Sequence, residues 1–203
     1  MSDIADTKDV QDAFLPAQVK ALARLHDRIF RSLENGLSGW FNGFAARFAF
    51  ASLLLLYYLN SGWNKLGDGV FGFLKPSVGA YASILPPVFE DHGADVDAIP
   101  FYWDFVVILG TMAEIALPLL IVLGLFSRIA ALGMIAFIAV QSYVDIAFHG
   151  LSGKYVGAMF DRFPDSIIFD QRMMWVFLML MIVANGPGRL SLDHLLARRF
   201  RQP

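Results

Sequence analysis

Four stretches of this chain are almost free of charge, and they constrain its fold more than any other feature. Between Arg47 and Lys65 lie 17 uncharged residues, including Leu53-Leu54-Leu55-Leu56. Between Asp104 and Arg128 lie 23 residues with one charge, Glu114. Between Arg128 and Asp145, and again between Arg172 and Arg189, lie 16 uncharged residues. A bilayer-crossing helix needs about 20 mostly apolar residues, and flanking Tyr, Phe and Trp extend the shorter stretches to that length. Buried core helices of a soluble protein are the competing reading. It is the weaker one, because no polar face alternates through the runs. The predicted spans are about 43–64, 101–126, 128–149 and 170–186.

Composition excludes several classes. Of 203 residues, 57% are hydrophobic, 17% are charged and none is cysteine. Disorder needs far fewer apolar residues. Without cysteine there is no disulfide scaffold, thiolate metal site or thiol redox pair. A net charge of −2 argues against nucleic acid as a partner. The first 40 residues are polar and lack an early apolar run, so the first span is expected to serve as a retained insertion signal.

Charge asymmetry predicts a direction. Eleven of the sixteen Lys and Arg residues flank one side of the predicted spans, among them Lys20, Arg24, Arg28, Arg31, Arg47, Arg128, Arg198 and Arg199. The other side holds Lys65, Lys75, Lys154, Arg162 and Arg172, with acidic residues such as Asp68, Glu90, Asp91, Asp95 and Asp97. The positive-inside rule places both termini in the cytoplasm. The expected architecture is an all-α integral membrane four-helix bundle, N-in/C-in, preceded by an amphipathic interfacial helix.

Three segments follow from this. Residues 1–42 read as a cytoplasmic segment, disordered over 1–15 and helical over 16–37. Pro16 suits the first turn of that helix. Its cations share one face, and Val19, Leu22, Ile29 and Leu33 form the opposite stripe, so it is expected to lie on anionic lipid; a solvated helix packed on the bundle is the alternative. Residues 43–189 form the membrane domain, whose long loop over 65–100 is too apolar in part for free solvent. Residues 190–203 form a basic cytoplasmic tail, a short helix over 192–200 capped by Ser191.

Three motifs resemble the DoxX family. They are Arg47-Phe48-Ala49 through Ser61-Gly62-Trp63-Asn64-Lys65, then Met112-Ala113-Glu114-Ile115-Ala116-Leu117-Pro118 with Leu123-Gly124-Leu125-Phe126-Ser127-Arg128, and finally Gly186-Pro187-Gly188-Arg189-Leu190-Ser191-Leu192-Asp193. The resemblance covers about residues 44–196. It implies a four-helix protein of the bacterial inner membrane. Members of the family are linked with electron transfer to quinone, as in the related DoxD subunit of thiosulfate:quinone oxidoreductase; others look like accessory subunits near periplasmic metal-handling partners. The N-terminal extension and the long loop depart from the compact family pattern.

The candidate chemistry centres on ionisable groups inside or beside the spans. Glu114 lies roughly 15 Å along a helix from Asp104, near the middle of a bilayer. A carboxylate there must face the bundle and be paired or protonated. Pro118 cannot donate to the carbonyl of Glu114. Gln141, Tyr57, Tyr58 and Asn60 are placed at similar depth. Glu114 reads either as a proton relay or quinone partner, or as a hydrogen bond locking helices together. Asp145 and His149, at i and i+4, are an acid/base pair on one helix face or part of an ion-paired rim with Lys65, Asp104, Asp170 and Arg172. The catalytic candidates are therefore Glu114, Asp145 and His149, moving protons. The cofactor-binding candidates are Lys65, Gln141 and Arg172, facing a quinone. Arg47 and Arg128 read as anchors for lipid phosphates.

No metal site is expected. The histidines at 26, 92, 149 and 194 fall on different levels, and the acidic loop near His92 reads as solvated. Met173, Met174, Met179 and Met181 read as packing residues. The function expected first is a subunit of a membrane redox system interacting with quinone; if it is an enzyme, it is a quinone-linked oxidoreductase subunit relying on a borrowed redox centre. The alternative is a non-catalytic accessory or scaffold protein for a periplasmic or metal-handling partner. Expected partners are the lipid bilayer and either a protein or a second copy of the chain. A small-solute transporter is disfavoured, since four spans without repeats leave little room for a gated path.

Overall fold

The computed structural model describes residues 16–200. The acidic residues at 3, 6, 9 and 12, and the last three residues of the tail, lie outside that range. Among the described residues every regular element is helical. The chain separates at Ser38/Gly39 into two units.

The first unit contains α1, Ala17–Leu37. Pro16 sits at the N-cap rather than in the first turn, with extended ψ. Val19, Leu22, Leu25, Ile29, Phe30 and Leu33 are all exposed. Arg31 and Asp27 form an exposed ion pair one turn apart.

Among the described residues the second unit holds four helices long and apolar enough to cross a membrane. These are α2 (Phe41–Asn64), α5 (Tyr102–Leu123), α6 (Ser127–Ala147) and α7 (Ile167–Asn185). Helices α3 (Val78–Ile84) and α4 (Pro86–Asp91) occupy the long loop, and α8 (Leu192–Phe200) the tail. The long helices pack in a closed ring, α2 on α5, α5 on α6, α6 on α7 and α7 on α2. Only 17% to 33% of each apolar window is buried. Large apolar side chains such as Leu53, Leu56, Leu109 and Ile129 face outward. Outward apolar belts of this extent need a non-aqueous surrounding, which is the build of a multi-pass membrane protein. The observed helices stop two to three residues short of the predicted ends at Phe126 and His149, and α7 starts three residues earlier, at Ile167.

The burial pattern explains two irregularities. In α5, buried Val107, Thr111, Glu114, Pro118 and Ile121 recur every three or four residues, as an α-helix requires. In α2, Ala46, Phe50, Leu54, Tyr58 and Gly62 recur every four. A straight α-helix drifts by about 40° at each such step. A π-helical segment at Ala51–Leu55 underwinds α2 and keeps these residues on one face. Another π segment, Ile167–Arg172, opens α7.

Two apolar clusters result. The main one lies between the four spans and includes Phe50, Tyr58, Ile121, Met134, Ile138, Met179 and Ile182. Met179 and Met181 belong to this core, whereas Met173 and Met174 are exposed. The second cluster is built by the long loop: Ala80, Tyr81 and Ile99 pack on Val107 of α5. The loop is thus a structured cover at the Lys65 end of the bundle.

Candidate functional site

A cavity of about 540 Å³ lies between α5 and α6 and reaches Ser61 of α2, Lys65 just after that helix and Ser83 of α3. One face of α5 contributes Val106, Gly110, Ala113, Glu114 and Leu117; one face of α6 contributes Gly133, Phe137, Val140, Gln141, Val144 and Asp145. These positions repeat at helical spacing, so each helix presents a single stripe to the cavity. The lining is apolar along most of its length and polar at the Lys65 end. Leu109 and Val140 on its rim are exposed on the flank of the bundle, so the cavity opens sideways between α5 and α6.

Glu114 is 2% exposed. Its carboxylate accepts from Lys65 Nζ at 2.6 Å and from Ser61 Oγ at 2.9 Å. Lys65 also donates to Ser61 at 2.9 Å. Three groups thus form a closed triangle at the wall of the cavity. A glycine allows it. A Cβ on Gly62 would stand 2.6 Å from Ile115 Cγ1, so only glycine lets α2 approach α5 at this level. Lys65 therefore does not stand in a polar rim: it follows the last turn of α2 and reaches inward to Glu114. Gln141 instead donates to Tyr57 Oη at 3.2 Å, and buried Tyr58 Oη has no hydrogen-bond partner among the described residues.

Asp145 and His149 are not partners. Helix α6 ends at Ala147, so the i, i+4 face does not continue to His149. Asp145 pairs with Arg172 of α7, a residue only 4% exposed. Arg172 also donates to Ser142 Oγ at 3.0 Å. The His149 ring bonds the Ser83 carbonyl through Nε2 at 3.2 Å, joining the end of α6 to α3. Both Asp145 and His149 still line the cavity with Glu114, Lys65 and Gln141, and Arg172 stands behind Asp145. The six groups expected at one rim separate into local sets. Asp104 accepts from Tyr81 Oη at 2.8 Å, and Asp170 exchanges hydrogen bonds with Ser166 at the start of α7. Burial, and secondarily the bond to Asp104, push the Tyr81 hydroxyl up to about 12.

The opposite end of the bundle is closed by Arg47. It is 8% exposed, buried in the bundle rather than standing on its surface. Its guanidinium donates to the carbonyls of Ile121 and Val122 at the end of α5, and to those of Pro187 and Leu190 beyond α7. Carbonyls at a helix C-terminus carry partial negative charge and lack intrahelical partners, so a fork of N–H donors suits them. Asp193 completes the closure. Its carboxylate accepts from the backbone N–H of Phe126 and Ser127 and from Ser127 Oγ, capping α6 from the tail. Gly124, at φ +70°, makes the turn between α5 and α6; a Cβ there would meet Ser191 and the Arg47 guanidinium. The three motifs at 47–65, 112–128 and 186–193 therefore converge in space.

Ser61 is the site residue that sequence reasoning missed. Its signal was the i, i+4 spacing to Lys65 on a predicted helix. Near the acidic loop, His92 Nδ1 contacts the Val88 carbonyl, and Asp95 accepts from the Asp97 amide. Among the described residues no three His, Asp or Glu side chains group as metal donors. No family model, no curated protein and no solved structure matches this chain.

Proposed function

We propose that this chain is a DoxX-like membrane protein that binds a quinone-type lipid in the cavity between α5 and α6, as a subunit of a membrane redox system. The cavity itself carries the reading. Its volume of about 540 Å³ lies within the range of about 300–1,000 Å³ typical of small-molecule sites. Its apolar length opens toward lipid, and its polar end presents Lys65, Glu114, Gln141 and Asp145. The two cation–carboxylate pairs leave the site near neutrality, which suits an uncharged head on an apolar tail. Among the described residues, buried Gln141 Oε1 has no hydrogen-bond partner, and such atoms call for one. When bound, a quinone supplies two-electron, two-proton chemistry. Lys65, Gln141 and Asp145, the last held by Arg172, bind and orient the head. Glu114 and its Ser61–Lys65 partners hold exchangeable protons at the cavity wall, and His149 stands at its exposed end. The electrons come from a partner, since this chain offers no thiol.

The orientation and the seat of α1 follow from charge, and the bacterial inner membrane from the DoxX resemblance. Both termini face the cytoplasm of a bacterial inner membrane, and α1 lies on the anionic leaflet with its apolar stripe inserted. The lack of native cysteine makes this simple to test. Ser152→Cys is expected to react with a membrane-impermeant maleimide in intact cells, and Ser38→Cys only after lysis. The opposite pattern overturns the orientation. Exposed Val70, Phe71 and Phe160 in the loops favour a second reading, an accessory protein that docks a periplasmic partner through that end.

The site reading is tested on protein purified in mild detergent. Lipid extraction followed by mass spectrometry is expected to find a quinone-type lipid held in stoichiometric amount. Added short-tailed quinone is expected to raise the thermal midpoint of delipidated protein. Neither a co-purified quinone nor a shift would end this reading.

A further inference from the structure

The polar end of the cavity is rich in acceptors and poor in donors. Glu114 engages one oxygen with Ser61 and the other with Lys65, and each oxygen keeps accepting capacity. Asp145 lines the cavity and pairs with Arg172 through Oδ2, so its carboxylate keeps accepting capacity at Oδ1. Gln141 has its amide nitrogen on Tyr57, and its buried oxygen has no hydrogen-bond partner among the described residues. Against these stand few donors. Lys65 spends two of its three N–H groups on Glu114 and Ser61. The Ser61 hydroxyl is spent on Glu114, and the His149 ring on Ser83.

From this balance we infer that the cavity selects the hydroxyl-bearing, reduced form of its ligand: a lipid-soluble hydroquinone rather than the corresponding quinone. The inference rests on the site reading above and adds the redox form to it. A hydroquinone brings two O–H donors to carboxylate and amide oxygens. A quinone brings only acceptors, which oppose carboxylate oxygens and leave Gln141 unsatisfied. A dry site built to receive a hydroxyl discriminates strongly against an analogue that lacks one. One acceptor left without its donor is a factor of about 10 in affinity. Redox chemistry is not needed for this preference, which is a property of binding alone.

Equilibrium dialysis under anaerobic conditions tests it with three probes of one shape: a decyl-tailed dimethoxybenzohydroquinone, the matching quinone, and the matching hydroquinone dimethyl ether. The hydroquinone is expected to bind at least about tenfold more tightly than the other two. Gln141→Leu is expected to narrow that ratio several-fold, because it removes one acceptor without disturbing either ion pair. Quinone or dimethyl ether binding as tightly as hydroquinone overturns the inference and leaves the site reading standing. Binding of none of the three to wild-type protein overturns both.

Discussion

The two ends of the membrane bundle solve the same problem in different ways. Each buries cations among apolar helices. At the Arg47 end the guanidinium is satisfied by four backbone carbonyls, and Asp193 spends its carboxylate on the cap of α6. At the Lys65 end, Lys65 and Arg172 are paired with the side-chain carboxylates of Glu114 and Asp145, and Arg172 Nε finds no hydrogen-bond partner among the described residues. A backbone carbonyl cannot titrate or be exchanged for another group; a carboxylate can do both. The Arg47 end therefore has the chemistry of a rivet and the Lys65 end that of a site, and the cavity lies at the Lys65 end.

The largest expected effect is at the rivet. Arg47→Met leaves the Ile121, Val122, Pro187 and Leu190 carbonyls without their donor and is expected to lose about 3–5 kcal/mol, read from denaturant unfolding in detergent. Arg47→Lys recovers only part, because an ammonium lacks the planar fork. A loss under about 1 kcal/mol would erase the contrast between the two ends.

The next effect separates them directly. Glu114→Leu alone strands Lys65 and is expected to cost about 2–4 kcal/mol. Adding Lys65→Met is expected to bring stability back to within about 1 kcal/mol of wild type, since two apolar side chains can replace a buried pair. The same double variant is expected to lose ligand binding. A double-mutant cycle measures this coupling. No such rescue exists for Arg47, whose partners are backbone.

Asp193→Ala removes the cap of α6 and is expected to cost about 1–2 kcal/mol by the same unfolding measurement, with ligand binding unchanged. A change in binding would show that the two ends communicate.

The smallest effect concerns the loop that covers the Lys65 end. The Tyr81 hydroxyl is raised from 10.0 to about 12 in the folded chain. The folded state therefore holds this proton more tightly than the unfolded one. The associated stability is fully present below about pH 10 and is lost as pH rises through about 12. Tyr81→Phe is expected to flatten that part of the stability–pH curve relative to wild type. An unchanged slope would mean that the Tyr81–Asp104 bond does not hold the loop on α5.

Much of the membrane unit was legible in the residues. The charge-free runs located the four long helices to within about three residues, because hydrophobic length is a local property of sequence. The Ser191 cap, whose Oγ accepts from the His194 amide, was legible for the same reason. The π segments were not legible as such, although the four-residue spacing of Ala46, Phe50, Leu54 and Tyr58 was there to be read. Glu114 was marked by its isolation, yet Lys65, read as a rim member or as a cofactor-binding residue, was not recognised as its ion-pair partner. Arg47 was assigned to lipid phosphates and turned out buried in the bundle. Asp145 and His149 were read either as a pair on one helix face, which fails because α6 ends at Ala147, or as part of an ion-paired rim, of which the Asp145–Arg172 ion pair is present.

Sequence by itself determined that this chain needs an apolar surrounding, where its long helices lie, and which few ionisable groups must be accounted for among them; the short loop helices α3 and α4 were not foreseen. Only the tertiary structure decided how those groups are matched. Lys65 meets Glu114 because Gly62 lets two helices touch. Arg172 meets Asp145 because α6 and α7 are neighbours in the ring. Arg47 meets helix ends because the turn at Gly124 and the tail after Gly186 bring free carbonyls to it. Matching across helices depends on distances between segments far apart in the chain, and local pattern carries no record of those distances.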